Sequence, residues 1–256
     1  MCKTLWREIF KFKHQRLAWL APLLIALLMS GVALTAQRAT ISDQEFYMAS
    51  GYVGFQWTIL FLIVISATSV AMEFEYGTIK QLAMQVPHRW MIYVAKFLLV
   101  LGYSSLLHVL VVGGTLILKL SGNSRIHWQT IYHYHQSLGY NLGINALLDL
   151  YGGVLIVSFV FLLASCSRHG AAAIAVGIGA CFMGEGVSSL LLRSFKTLMP
   201  LLKWNPFNMF YLQEEYGNPD YRAMTHLTIQ QLGIGNMVWA LIFIGVGAVI
   251  FSKRRL

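Results

Sequence analysis

The chain is 256 residues long, 57% hydrophobic and only 11% charged, with a net charge of +9. Its mean hydropathy of +0.62 excludes an ordinary soluble domain, in which about a quarter of residues carry charge. The positive balance then reads as membrane topology and contact with anionic lipid, not as a footprint for nucleic acid.

Residues 1–16 carry Lys3, Arg7 and Lys11 at four-residue spacing, with Leu5, Ile9 and Phe12 on one helical face and Trp6 and Phe10 beside it. That pattern predicts an interfacial helix in the headgroup plane, apolar face down and basic face up. A hydrocarbon core about 30 Å thick needs about 20 apolar residues of helix. Such spans fall at 17–36, 53–72, 97–118, 142–165, 171–192 and 233–251. The expected fold is therefore all-α integral membrane, with six transmembrane helices. The basic start imitates a signal peptide, but the apolar run is span-length and no small-residue cleavage site follows, so it reads as retained.

Between spans two and three, residues 73–96 concentrate charge, Gly77 and Pro87 where a short turn would suffice. Thr78 is placed to cap a short helix through Gln85, and Pro87 to end it, because the residue before proline avoids helical angles. Leu82, Met84 and Val86 offer apolar knobs for a partner groove. Glu73 and Glu75 are placed to pair with Arg89, Lys96 or the basic N-terminal helix. The plain alternative is a solvated loop, in which exposed pairs contribute little.

Lysines and arginines set the orientation. Lys3, Arg7, Lys11, Lys13, Arg16, Lys80, Arg89, Lys96, Arg168, Lys253, Arg254 and Arg255 fall on one side, twelve of the 19, against seven on the other. The bias predicts both termini and the 73–96 connection in the cytoplasm of a multi-pass cell-membrane protein.

On the opposite side, residues 37–52 are short and mildly acidic. Residues 119–141 hold His127, Trp128, His133, Tyr134 and His135 without a carboxylate or cysteine to complete a metal shell, which favours an aromatic belt over a metal site. Residues 193–232 begin with an apolar run broken by Pro200 and Pro206, the pattern of a re-entrant or interfacial hairpin whose backbone must be covered by protein. Cys2, Cys166 and Cys181 read as reduced thiols.

Two acidic residues, Asp149 and Glu185, fall inside spans. Each costs about 2.5–3.5 kcal/mol to insert and must face a polar neighbour or a cavity. Either lines a translocation path, or makes an interhelical hydrogen bond near the outer interface. The two readings stand level for Asp149, and the hydrogen bond is the better account of Glu185.

Catalytic motifs are missing from the sequence. It has no His-Glu-x-x-His, no Gly-x-Ser-x-Gly and no phosphate-cradling Gly-x-x-x-x-Gly-Lys-Ser/Thr, and only one aspartate in a span. Glu214-Glu215 precedes Arg222 at the wrong spacing for a Glu-Glu-x-x-x-Arg protease. No catalytic residue, metal or cofactor is therefore assigned to this chain.

Glu73-x-Glu75-x-Gly77-Thr78-Ile79, then Pro87-x-Arg89 and Lys96, resembles the signature of ABC-2 type permeases, most of all small six-span members linked to bacitracin resistance and lantibiotic immunity. The likeness extends over residues 1–256 as a single transmembrane domain, and Asn205-Pro206-Phe207 resembles a further family motif. Gln85 and Trp90 depart from the pattern. The resemblance implies that residues 73–96 form a coupling helix docking on a separate ATP-binding subunit, through Glu73, Glu75, Gly77, Thr78, Leu82, Pro87, Arg89 and Lys96. It implies that ATP and magnesium belong to that partner, and that a second permease chain, identical or related, completes a path to which Asp149 and Glu185 contribute. An amphipathic cargo, such as an antimicrobial peptide or lipid-linked molecule, is the expected class. The alternative is a non-transporting sensor or scaffold that docks a cytoplasmic partner.

Overall fold

The computed structural model describes residues 1–121, 126–167 and 169–254, and the regular elements among them are helical apart from an isolated antiparallel bridge between Ile131 and Ser137. Arg125, Arg168 and Arg255, counted above for orientation, lie outside the described residues.

The chain begins with α1 (Cys2–Lys13) and α2 (Arg16–Ala36). The short segment after α2 is not a plain loop: Thr40 accepts a hydrogen bond from the Asp43 backbone N–H and starts α3 (Ile41–Ala49). Gly51, Tyr52 and Val53 then take positive φ angles of 63°, 49° and 64°, which no helix accommodates, so α4 (Gly54–Glu75) starts afresh. After it come α5 (Ile79–Ala83), α6 (Trp90–Ser121), α7 (Leu138–Cys166) and α8 (Gly170–Ser194). Residues 195–228 are successive short turns that include α9 (Met199–Leu202), α10 (Leu212–Gly217) and α11 (Arg222–Thr225). A reciprocal capping box between Thr228 and Gln231 starts α12 (Ile229–Lys253).

Six helical stretches are long and apolar enough to cross a membrane, as the hydropathy pattern predicted. They outrun the predicted spans. α6, with 32 residues, is about 48 Å long at 1.5 Å per residue, well beyond a hydrocarbon core. The extra turns carry the charged residues that place the site described below.

Two compact units divide the chain. The first comprises Met1–Lys11, Leu62–Leu101 and Tyr151–Leu256. Its core is aromatic: Tyr93 packs on Phe161 and Phe251 with ring centroids 5.5 and 5.6 Å away. Gly247 of α12 admits the Tyr93 ring, since a β-carbon there would collide with it. The 195–228 segment also belongs to this unit and is held by a polar hub. Asn208, wholly buried, donates to the Lys203 and Thr225 carbonyls at 2.7 and 3.0 Å and accepts from Ser188 at 3.1 Å. Asn205 caps the turn at Pro206 and donates to Ser188, so the Asn-Pro-Phe motif fastens this segment to α8. The second unit comprises Phe12–Phe61 and Gly102–Leu150, with Phe12 edge-on to Tyr103 at 4.7 Å.

Candidate functional site

The last turn of α4 and the second turn of α6 bracket the 76–89 connection, and a closed ring of charges joins them to α1. Lys96 donates to Glu73 Oε1 at 3.0 Å and to Glu8 Oε2 at 2.6 Å. Lys11 donates to the same Glu73 oxygen at 3.1 Å and to Glu8 Oε1 at 3.0 Å. Each carboxylate accepts from both lysines, and the four charges cancel. Lys96, Glu8 and Glu73 are buried, with side-chain exposures of 4%, 4% and 10%, whereas Lys11 reaches solvent at 40%. Burial disfavours the Lys11 ammonium, but the Glu8 and Glu73 carboxylates outweigh it and raise its pKa above the ordinary lysine value.

Thr78 takes part differently from the expectation. Its side chain makes no cap bond to α5; the hydroxyl donates to the other Glu73 oxygen. The reason is proximity: the sharp turn at Gly77, with φ of +67°, swings Thr78 back toward α4. Nor does Pro87 end the short helix, which stops at Ala83. Glu73 itself lies within the span helix, because α4 continues through Glu75.

Two further expected residues, Glu75 and Arg89, sit at helix ends. Glu75 Oε1 accepts the Gly170 backbone N–H at 2.7 Å, placing an anion on the first turn of α8, where His169 supplies no side-chain cap. Arg89 donates to the Ser252 and Arg254 carbonyls at 3.4 and 3.2 Å, a cation at the last turn of α12. Arg254 in turn donates to the Ala164 and Ser165 carbonyls at the end of α7 and lies 3.9 Å from the Phe74 ring centroid. Thus Glu73 takes Lys96 and Lys11, whereas Glu75 and Arg89 find backbone partners instead of each other. Phe74, Glu75, His169, Ala171 and Arg254 line an open groove of ≈ 740 Å³.

The connection is two-sided. Ile79 is its buried anchor at 3% exposure, Leu82 and Val86 are half-buried, and Tyr76 and Met84 stand 72% and 81% exposed. Lys80, Gln81, Pro87 and His88 are exposed too, and Arg7 of α1 donates to the Gln85 side chain at 2.6 Å.

Sequence reasoning missed Glu8, the ring's second acid. One signal was available: it is the only acidic residue before Asp43, set among lysines and arginines. Within α1, Glu8 and Phe12 are buried and Leu5 is half-buried, while Trp6 and Phe10 are 71% and 63% exposed. Arg254, read only as a tail charge, was likewise missed.

Asp149 and Glu185 are not brought to this site. Asp149 is 2% exposed near the middle of α7, its Oδ2 2.8 Å from His108 Nε2. Glu185 is half-buried in α8, and its backbone carbonyl accepts from the Tyr211 hydroxyl at 3.1 Å. Burial, Glu185, Glu214 and Tyr221 push the Tyr211 phenol up to about 12. No cluster of three or more metal-ligating side chains occurs among the described residues.

The chain is similar to an uncharacterized protein, YhcI, of Bacillus subtilis (strain 168), at 25% identity over 207 residues, 77% of this chain. The match spans 64% of that relative's length. Residues 4–184 match the family described as ABC-2 family transporter protein, a stretch running from the charged helix α1 into α8 and containing all four members of the ion ring. The chain belongs to the ABC-2 transporter family and is a multi-pass membrane protein.

Proposed function

We propose that this chain is the permease subunit of an ATP-driven transporter, with the 76–89 connection facing the cytoplasm and gripped by a separate ATP-binding subunit. The observation that carries this reading is the contrast across the connection. Glu73 and Ile79 are buried and the Thr78 hydroxyl is tied to Glu73, while Tyr76, Lys80 and Met84 are exposed. A segment clamped on one side and open on the other can receive a push and pass it to α4 and α6. Glu75, Arg89 and Arg254 extend that connection to the ends of α7, α8 and α12. Two permease chains, identical or related, would form the path, and ATP and magnesium would belong to the partner. Apolar spans with few charges favour an amphipathic cargo, such as an antimicrobial peptide or a lipid-linked molecule, in the manner of bacitracin-resistance and lantibiotic-immunity systems.

The test is co-purification with an ATPase and cargo-stimulated ATP hydrolysis in lipid vesicles. Glu73→Ala, Gly77→Val and Arg89→Glu should leave the chain in the membrane and sharply reduce stimulation. Normal stimulation in all three would sink the coupling role. A partner that binds but is never stimulated by cargo would instead favour a sensor or scaffold.

A further inference from the structure

His108 and Asp149 lie in the second compact unit, near the middles of α6 and α7, with side-chain exposures of 5% and 2%. His108 Nδ1 is 2.8 Å from the Ser104 carbonyl oxygen, and Nε2 is 2.8 Å from Asp149 Oδ2. The Phe55 ring of α4 stacks on the imidazole, with centroids 5.8 Å apart. Among the described residues, the ionisable group acting on each member of the pair is the other member.

The hydrogen-bond pattern fixes the proton count. A carbonyl oxygen can only accept, so Nδ1 must carry a hydrogen. The contact between Nε2 and Oδ2 then needs a hydrogen of its own. An imidazolium supplies it to a carboxylate, or a carboxylic acid supplies it to a neutral imidazole. The remaining combination, neutral imidazole against carboxylate, sets two acceptors face to face at hydrogen-bond distance. In an apolar interior that arrangement is both repulsive and unsolvated. Both allowed forms contain the same number of protons and are neutral overall.

We propose that His108 and Asp149 form an intramembrane binding site for one proton, shared between Nε2 and Oδ2, whose occupancy joins α6 to α7. Release passes that proton to water and leaves a neutral imidazole with one hydrogen for two contacts; kept on Nδ1 by the Ser104 carbonyl, it leaves Nε2 and Oδ2 as two acceptors that must move apart. Binding restores the bond. The site is independent of ATPase docking, so its test stands whether or not the transport reading does.

The full chain, labelled with ¹⁵N-histidine and ¹³C-aspartate, is reconstituted in phosphatidylcholine vesicles and followed by solid-state NMR. The readings run from about pH 5 to about pH 8, where a free imidazole loses its proton. His108→Gln assigns the His108 signals by their loss. The expected result is a pair that keeps its shared proton across this range, seen on Nε2 or on the Asp149 carboxyl. A neutral His108 beside an ionised Asp149 within the range would overturn the proposal. Asp149→Asn sharpens the test, because its amide N–H can donate to the Nε2 of a neutral imidazole and keep the contact without the proton. That variant should retain its helical content and lose the bound proton. An imidazolium persisting in it would show that His108 holds the proton alone, which also overturns the shared site.

Discussion

The ring of Glu8, Lys11, Glu73 and Lys96 and the pair of His108 and Asp149 both bury acids against bases, but they do so with different chemistry. In the ring, two lysines face two carboxylates, and every acid accepts from every base. The raised Lys11 pKa means its stabilising contribution is fully present below the unfolded lysine value and is lost only as pH climbs through the higher folded one. The pair uses an imidazole, whose ordinary range straddles neutrality. The lesson is one of chemistry matched to place. Lysines and carboxylates hold the ring at the helix ends, and an imidazole faces a carboxyl in the interior of α6 and α7.

The largest expected effect breaks the ring. Lys96→Met leaves Glu8 and Glu73 with only the partly exposed Lys11, and should destabilise the protein by about 3–5 kcal/mol. The double variant Glu8→Leu with Lys96→Met removes one charge of each sign. It should recover part of that loss, because the surviving Lys11–Glu73 pair is neutral. Denaturant unfolding in detergent micelles measures both. If the double variant were less stable than Lys96→Met alone, mutual compensation would not be what holds the ring.

Gly77→Val comes next. The φ of +67° is costly for a side-chain-bearing residue, by about 1–2 kcal/mol, and more so for a β-branched one. No atom crowds the position, so the effect is backbone strain and not a clash. Gly77→Asn, which tolerates left-handed angles, should therefore lose markedly less stability than Gly77→Val. Equal losses would rule out this explanation.

These sites differ in how far the sequence disclosed them. The six spans were legible because hydrophobic length is a local property, and Glu73 with Lys96 was legible because both sit where an apolar run meets charge. Glu8 was hidden inside an amphipathic pattern that the wheel reads as interfacial, since a wheel cannot say which side meets protein. Thr78 and Pro87 misled through local rules. Capping and helix-stopping preferences assume a helix that competes with nothing, whereas Glu73 offers the Thr78 hydroxyl a charged acceptor. The His108 partner of Asp149 is 41 residues away in sequence, a separation that no local pattern spans.

Smaller effects should follow at the helix ends. Arg89→Gln withdraws a cation from the last turn of α12, and Glu75→Gln withdraws an anion from the first turn of α8. Each should cost about 0.3–1 kcal/mol, and less at high salt. Thermal unfolding at low and high ionic strength checks this. A loss in either variant that does not shrink with salt would mean that packing, not charge at the helix terminus, sets its contribution.

The smallest effect on stability should accompany a large effect on docking. Met84 and Tyr76 are 81% and 72% exposed, so removing them should change stability by no more than about 0.5 kcal/mol. If the outward side of the connection is the surface an ATP-binding subunit grips, Met84→Gln and Tyr76→Ala should still reduce ATPase co-purification severalfold, since exposed apolar anchors contribute through burial by the partner. Ile79→Ala is the contrast. Ile79 is buried within the chain, so its loss should destabilise the fold by about 2–5 kcal/mol. Any loss of partner from Ile79→Ala should then follow the amount of folded chain, whereas the loss from Met84→Gln should occur at full folding. Undiminished co-purification by both surface variants would place the docking surface elsewhere and leave the ring as a structural clasp.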